Sequence, residues 1–109
     1  MTTDPRALED IREITAIIKE AVPAERIYLF GSHAYGTPHK DSDYDFFVVI
    51  PDGSMRPLEA MRSIRRASLR QERIMSMDFL ADYKSNFEQR KQLNTLERKI
   101  DREGVLLYG

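Results

Sequence analysis

Two aspartates two positions apart, Asp43 and Asp45, stand at the start of a segment that is predicted to be a buried strand. The segment Tyr44–Ile50 is rich in aromatic and β-branched residues, and a Pro-Asp-Gly turn signal follows it. Because strand side chains alternate with a period of two, both carboxylates are expected on one face. Neighbouring like charges repel, so a divalent cation that prefers oxygen ligands, such as Mg²⁺, would offset the cost.

A Gly-Ser pair, Gly31-Ser32, comes directly after a second predicted strand, Arg26–Phe30. Glycine allows close approach of the backbone, a serine hydroxyl can donate a hydrogen bond, and N–H groups that open a short helix over 32–35 can face an anion. These features are typical of phosphate contacts. Lys40, in the polar loop that leads to the aspartates, either meets a phosphate or is simply solvated.

Two histidines lie in this region, His33 and His39, and neither has a cysteine or a second histidine at ligand spacing. A zinc site is therefore not expected. His33 lies within the Gly-Ser segment, where it either touches a nucleotide or is a surface residue. Ser42 is expected to orient the loop by bonding to local backbone.

The pattern Gly31-Ser32, then Ser42-Asp43-Tyr44-Asp45, resembles the signature of the nucleotidyltransferase superfamily related to DNA polymerase beta. The short chain is similar to the minimal nucleotidyltransferase branch of that superfamily, and the resemblance covers nearly the whole chain. Its ending, 100–108, also looks like the tail of such proteins. The resemblance implies a third carboxylate on a later strand, and Asp78 in the predicted strand Arg73–Leu80 fits that place.

The resemblance implies a role for each site residue. Asp43, Asp45 and Asp78 would be the catalytic residues and would hold two Mg²⁺ ions, while Gly31 and Ser32 would bind the β- and γ-phosphates of ATP. An acceptor hydroxyl would attack the α-phosphate and release pyrophosphate. Many relatives carry arginine where this chain has His33 or Tyr35, so a fixed positive charge near the triphosphate is missing here.

The same resemblance implies a biological role. Many minimal nucleotidyltransferases are antitoxins that silence a HEPN-type ribonuclease toxin by transferring AMP to a tyrosine, and we expect that role here. Two alternatives remain open: an aminoglycoside-type enzyme acting on a small molecule, and a non-catalytic antitoxin that acts by binding alone. The size of the chain argues against the first, and its three aspartates argue against the second.

Composition limits the other function classes. The chain has 109 residues and is expected to form one domain, 1–109. Its 17 basic and 18 acidic residues give a net charge of −1, so nucleic acid is not expected as a direct substrate, and it has no cysteine. We see no secretory signal and no apolar stretch of the ~20 residues that span a bilayer, so a cytoplasmic protein without membrane contact is expected. Self-association remains possible.

The predicted elements give an α+β fold, an α/β two-layer arrangement in which a small mixed sheet of three or four strands is flanked by helices. A first amphipathic helix is predicted from Thr3-Asp4-Pro5 to near Pro23, a second from Pro57 to about Gln71, and a last one over Glu88–Arg102 with an apolar stripe of Leu93, Leu96 and Ile100. The apolar ending 105–108 is expected to pack on the core or on a partner.

The second predicted helix carries arginines that gather on one side, namely Arg62, Arg65, Arg66, Arg70 and Arg73. This basic face is either solvated or a docking surface for an acidic partner or RNA. No aromatic residues are interleaved with the arginines, which speaks against stacking on single-stranded bases.

Overall fold

The computed structural model of the chain describes residues 1–39, 42–71 and 75–109. In these ranges the elements, in chain order, are α1 (Pro5–Ala21), β1 (Arg26–Phe30), α2 (Ser32–Tyr35), β2 (Tyr44–Ile50), α3 (Pro57–Ser68), β3 (Met77–Tyr83), α4 (Lys84–Arg90), α5 (Leu96–Glu103) and β4 (Val105–Tyr108).

The four described strands form one mixed sheet in the order β3-β2-β1-β4. β1 is antiparallel to both of its neighbours, β2 and β4, whereas β2 and β3 are parallel. A parallel pair needs a crossover connection, and α3 provides it here. The expected α+β fold with a small mixed sheet is confirmed.

The central strand β2 separates two apolar layers because its side chains alternate. Phe46, Val48 and Ile50 contact the larger core, which contains the apolar side of α1 together with Ala60 and Ile64 of α3. Phe47 and Val49 point to the other face, where they pack in a smaller cluster with Phe87 of α4 and Ile100 of α5. Burial on both sides explains why β2 is almost continuously apolar after Asp45.

The first helix forms as its sequence predicts. Asp4 is the N-cap and its side chain accepts a hydrogen bond of 3.1 Å from the Arg6 backbone N–H, with Pro5 at the first helical position. Ile11, Ile14 and Ile18 lie on one side and are buried against the sheet. α1 therefore covers one face of the sheet as expected.

The prediction of one last helix over Glu88–Arg102 was wrong, because the chain forms two helices there. α4 ends at Arg90, and Thr95 begins α5 anew by accepting a hydrogen bond of 3.3 Å from the Arg98 backbone N–H.

The apolar stripe predicted for that helix is only partly buried. Ile100 is buried, but Leu93 and Leu96 are 58% and 40% exposed. Phe87, outside the predicted helix, fills the core instead. The break therefore turns Phe87 rather than the two leucines toward the sheet.

Two other predicted boundaries also differ. α3 ends at Ser68 rather than near Gln71. β3 runs over Met77–Tyr83 rather than Arg73–Leu80, because it pairs in register with the whole of β2, and Arg73 lies outside the described residues. The apolar ending forms the edge strand β4, which packs on the core as expected.

None of the helices in the described ranges combines the length and the apolar character that crossing a bilayer requires.

We expect the smaller cluster to be essential for stability. Truncating Phe87, which is fully buried between Tyr28 and Phe47, removes both ring contacts and leaves a cavity. Phe87→Ala should lower the free energy of unfolding by about 3–5 kcal/mol, measured by urea denaturation. Leu93→Ala, at an exposed position, is the control and should change it by less than about 0.5 kcal/mol. Equal effects of the two variants would contradict the packing described here.

Candidate active site

Three strands contribute one residue each to a row across the sheet, and two of the three are predicted site residues. Asp45 on β2 is the register partner of Phe30 on β1 and of Asp78 on β3. Register partners on adjacent strands project to the same face, so the two carboxylates lie side by side. Asp45 is half-buried and Asp78 is exposed on the outer strand. Residues 33 positions apart in sequence are thus neighbours.

Gly31 lies directly against the Asp45 carboxylate. Its φ of 77° and ψ of −158° define a backbone conformation that is essentially restricted to glycine. A Cβ built on Gly31 would lie 2.2 Å from Asp45 Oδ2, far closer than any real contact. Glycine is therefore required both by the turn into α2 and by the space that the carboxylate occupies. Ser32 follows as the first residue of α2 and is half-buried.

Asp43 lies one residue before β2 and is held by the segment that leads into β3. Its Oδ1 accepts a short hydrogen bond from the Ser76 hydroxyl. The Tyr44 backbone N–H donates to the Ser76 carbonyl oxygen at 2.9 Å, so the two segments are joined by backbone as well. Asp43 and Asp78 are therefore on connected parts of the same sheet end.

Among these carboxylates, it is Asp45 whose ionised form is disfavoured by its surroundings. Burial raises the pKa of Asp45, and the negative charges of Asp78 and Asp43 raise it further, while the nearby His33 lowers it by a smaller amount. A carboxylate that is desolvated and faces two other carboxylates is a position where a bound cation is stabilised by direct charge attraction.

The donor set suits a hard cation such as Mg²⁺, because it consists of carboxylate and hydroxyl oxygens. Among residues 1–39, 42–71 and 75–109, however, no three acidic or histidine side chains are gathered closely enough to ligate one ion. Asp45 and Asp78 are register partners on adjacent strands, whereas the Asp43 carboxylate accepts a hydrogen bond from the Ser76 hydroxyl. The assignment of Asp43, Asp45 and Asp78 as metal ligands remains a prediction.

His33 is buried, which corrects its interpretation as a surface residue, whereas a contact with a nucleotide remains a prediction. It is 5% exposed, and its ring stacks on that of Tyr44 with 4.4 Å between the centroids. Its Nε2 donates a hydrogen bond of 3.3 Å to the carbonyl oxygen of Ser42, which is the residue before Asp43. The His39 backbone N–H donates to Ser42 Oγ at 2.7 Å, so Ser42 orients the loop as predicted. Lys40 lies outside the described residues.

The sequence did not predict a buried hydrogen bond between α1 and Tyr44, the residue between Asp43 and Asp45. The Tyr44 hydroxyl donates to Asp10 Oδ2 at 2.7 Å, and both side chains are almost fully buried. Tyr44 lies between Asp43 and Asp45, so this hydrogen bond ties the backbone of the motif to the first helix. The signal was present in the sequence, because Asp10 interrupts the otherwise apolar stripe of α1.

The basic face of α3 divides into arginines with separate roles. Arg65 lies over the ring of Phe79 at 6.0 Å, and Arg62 pairs with Glu59 at 3.6 Å. Arg66 and Arg70 line a groove of about 610 Å³ between α1 and the end of α3. Arg73 lies outside the described residues, and a docking role for this face remains a prediction.

The contact between Gly31 and Asp45 can be tested with a matched pair of glycines. Gly53 also has a positive φ, 74°, but nothing lies within 4 Å of a Cβ built there. Gly53→Ala should cost about 1 kcal/mol of backbone strain. Gly31→Ala should cost about 1–3 kcal/mol more, because its methyl group must also displace the carboxylate. The measurement is urea denaturation, and similar losses in the two variants would rule out the steric contact.

The raised pKa of Asp45 predicts a pH-dependent stability. Since folding raises this pKa above its ordinary value of 3.8, the folded state favours the protonated form, and the associated stability is lost as pH rises through the folded pKa. Asp45→Asn should therefore unfold at a higher temperature than the parent chain at pH 7 without divalent ions. The difference should shrink below pH 3.8.

Divalent ions provide the control for that variant. Mg²⁺ should raise the unfolding temperature of the parent chain at pH 7 and have less effect on Asp45→Asn, since the variant lacks one carboxylate. A variant less stable than the parent chain at pH 7 would contradict the repulsion inferred here.

Comparison with known proteins agrees with this architecture. A candidate nucleotidyltransferase from Sulfolobus solfataricus has a crystal structure that matches with a TM-score of 0.63 at 21% identity, over 93% of this chain and 78% of that one. A toxin–antitoxin complex solved with AMP-PNP matches with a TM-score of 0.58 at 21% identity, over 90% of this chain and 72% of that one.

A further toxin–antitoxin structure, a mutant of MntA–HpeT with two aspartates changed to glutamate, matches with a TM-score of 0.57 at 20% identity, over 90% and 72% of the two chains. At this identity the structural matches establish the fold. No curated protein sequence matches the chain. The family model for the nucleotidyltransferase domain matches residues 11–107, which include the Gly-Ser turn and all three aspartates. The chain therefore belongs to the nucleotidyltransferase domain family.

Proposed function

We propose that the chain, as one domain over 1–109, is a Mg²⁺-dependent enzyme that transfers AMP from ATP to a hydroxyl group of a partner protein. The observation that carries the proposal is the row in which Asp45 and Asp78 lie side by side with Gly31 packed against the first. This arrangement combines a place for divalent cations with a turn at which backbone and hydroxyl groups can meet phosphates.

Each predicted residue has a role in this proposal. Asp43, Asp45 and Asp78 hold two Mg²⁺ ions, and Gly31 and Ser32 contact the β- and γ-phosphates. Bound Mg²⁺ supplies positive charge that favours deprotonation of the attacking hydroxyl and neutralises the phosphates. Asp78 is exposed on the outer strand, so an incoming acceptor can reach its carboxylate from beyond the edge of the sheet.

The proposed reaction is an in-line displacement at the α-phosphorus of ATP. The acceptor oxygen forms a new bond to phosphorus, the bond to the oxygen that bridges the α- and β-phosphates breaks, and pyrophosphate leaves. The hydroxyl proton passes to a carboxylate oxygen of Asp78. The His33 and Tyr44 contacts hold the backbone on either side of Asp43 in place.

The proposed partner is a HEPN-type toxin, and the acceptor is the hydroxyl of a tyrosine. Two structural neighbours are toxin–antitoxin complexes, one of them with AMP-PNP. In the MntA–HpeT mutant, the two substituted aspartates are two positions apart, the same spacing as Asp43 and Asp45. Under this proposal the chain is an antitoxin that works in the cytoplasm, where ATP and the toxin are both present.

Label transfer tests the proposal directly. ATP labelled at the α-phosphate is incubated with Mg²⁺, the purified chain and a HEPN-type protein from the same organism. The partner should become labelled and gain the mass of AMP, whereas ATP labelled at the γ-phosphate should leave no label. Asp78→Asn should reduce transfer at least a thousandfold, as expected for loss of a metal ligand and proton acceptor together.

The control variant is Asp82→Asn, which changes an aspartate on the same strand, four residues away. It should retain most of the transfer. Near-normal transfer by Asp78→Asn would rule out the three-aspartate assignment. An unlabelled partner that the chain nevertheless neutralises, equally well with Asp43 and Asp45 changed to alanine, would replace the proposal with neutralisation by contact alone.

A further inference from the structure

Lys99 of α5 lies over the ring of Tyr35, with Nζ 4.7 Å from the ring centroid. Tyr35 is the last residue of α2 and comes three positions after Ser32. Side chains three apart on a helix lie on the same side. The Lys99 ammonium group is therefore in contact with a residue that lies one helical turn after Ser32 on the short helix that follows the Gly-Ser turn.

The helix that carries Lys99 is firmly fixed. Glu97 and Ile100 are buried on the inner side of α5, and Glu97 forms an ion pair with Arg90 of α4. At the end of α5, a Cβ built on Gly104 would lie 3.2 Å from the Leu29 carbonyl oxygen. The last turn of α5 thus packs against the end of β1, two residues before Gly31.

Lys99 is exposed, and in the part of the chain that the structure describes no carboxylate forms an ion pair with it. Lys84 pairs with Glu25 and Lys91 with Glu88, whereas Lys19, like Lys99, lies over a tyrosine ring, that of Tyr108. The contact with Tyr35 orients the ammonium group by attraction to the ring face and leaves its three N–H donors available.

The Gly-Ser turn itself brings no strong cation, because residues 31–39 contain neither lysine nor arginine. A triphosphate bound there would also lie beside Asp43, Asp45 and Asp78. Metal ions would offset part of this negative charge, and a further cation from elsewhere in the fold would offset more.

We propose that Lys99 binds the β- or γ-phosphate of the ATP substrate and supplies the positive charge that the Gly-Ser segment lacks. This inference rests on the proposed function. A lysine ammonium group binds phosphate as a compact point charge and does not need the two-pronged geometry of arginine. Tyr35 is then the support that holds the lysine side chain over the phosphate site.

The experiment compares Lys99→Met, Lys99→Arg and Arg102→Met by titration calorimetry with ATP and, separately, AMP, each with Mg²⁺. Arg102 is exposed one turn further along the same helix, so its variant removes an equal charge without removing the contact between Lys99 and Tyr35. Lys99→Met should weaken ATP binding at least about tenfold, as expected for one charge-assisted contact. AMP binding should change less than twofold, because AMP has no β- or γ-phosphate.

Lys99→Arg should restore most of the ATP affinity, Arg102→Met should retain it, and all three variants should unfold at the temperature of the parent chain. Unchanged ATP affinity in Lys99→Met, or equal losses for ATP and AMP, would overturn the role of Lys99 while leaving the proposed function intact. If the parent chain binds no ATP with Mg²⁺, the proposed function and this inference both fail.

Discussion

The charge of Asp45 is the constraint on which the rest of the site depends. Its carboxylate is half-buried, faces two other carboxylates and rests against the backbone at Gly31. An ionised group in such a place opposes folding, and a structure built for stability alone would place an apolar or amide side chain there. The fold keeps the carboxylate because the surrounding elements leave it little freedom to move away.

Three kinds of restraint hold it in place. Pairing with β1 and β3 fixes the position of the strand on both sides of Asp45. Tyr44 anchors the backbone to α1 through Asp10, and its ring is covered by His33. Because neighbouring residues on β2 are buried in two separate cores, a shift of register by one residue would move each side chain to the opposite face and disrupt the packing of both cores. The repulsion among the carboxylates acts only at this end of the sheet, whereas the restraints on Asp45 extend through both apolar clusters.

The sequence predicted the parts of the fold that local patterns determine. α1 and the strands Arg26–Phe30 and Tyr44–Ile50 were predicted correctly, because α1 has a clear apolar period, the strands are rich in aromatic and β-branched residues, and Pro or Gly lies at the boundaries. The division between α4 and α5 was missed, because the apolar residues near 93–100 have helical spacing even though Thr95 begins a new helix. The length of β3 could not be predicted either, since its end is set by pairing with β2 rather than by its own composition.

The candidate site shows the same division between local and long-range information. The Gly-Ser turn and the Asp-x-Asp pair are visible in sequence, but their contact, in which Asp45 occupies the space of the missing Gly31 side chain, depends on the pairing of β1 with β2. His33 appeared to be a surface or ligand residue because histidine is common in both places, and only its stacking on Tyr44 identifies its structural role.

The order of the strands explains how so short a chain can surround a charged site. β1 and β2 carry the two halves of the motif in the centre of the sheet, while β3 on the outer side adds an exposed carboxylate. β4 on the opposite side follows α5 and draws the end of that helix against the end of β1. Gly31 therefore lies against the acidic residue Asp45, while the basic residue Lys99 lies over Tyr35 at the end of the helix that the Gly-Ser turn opens. If Lys99 acts as proposed, a ligand with both phosphates and bound cations would meet opposite charges on each of its parts.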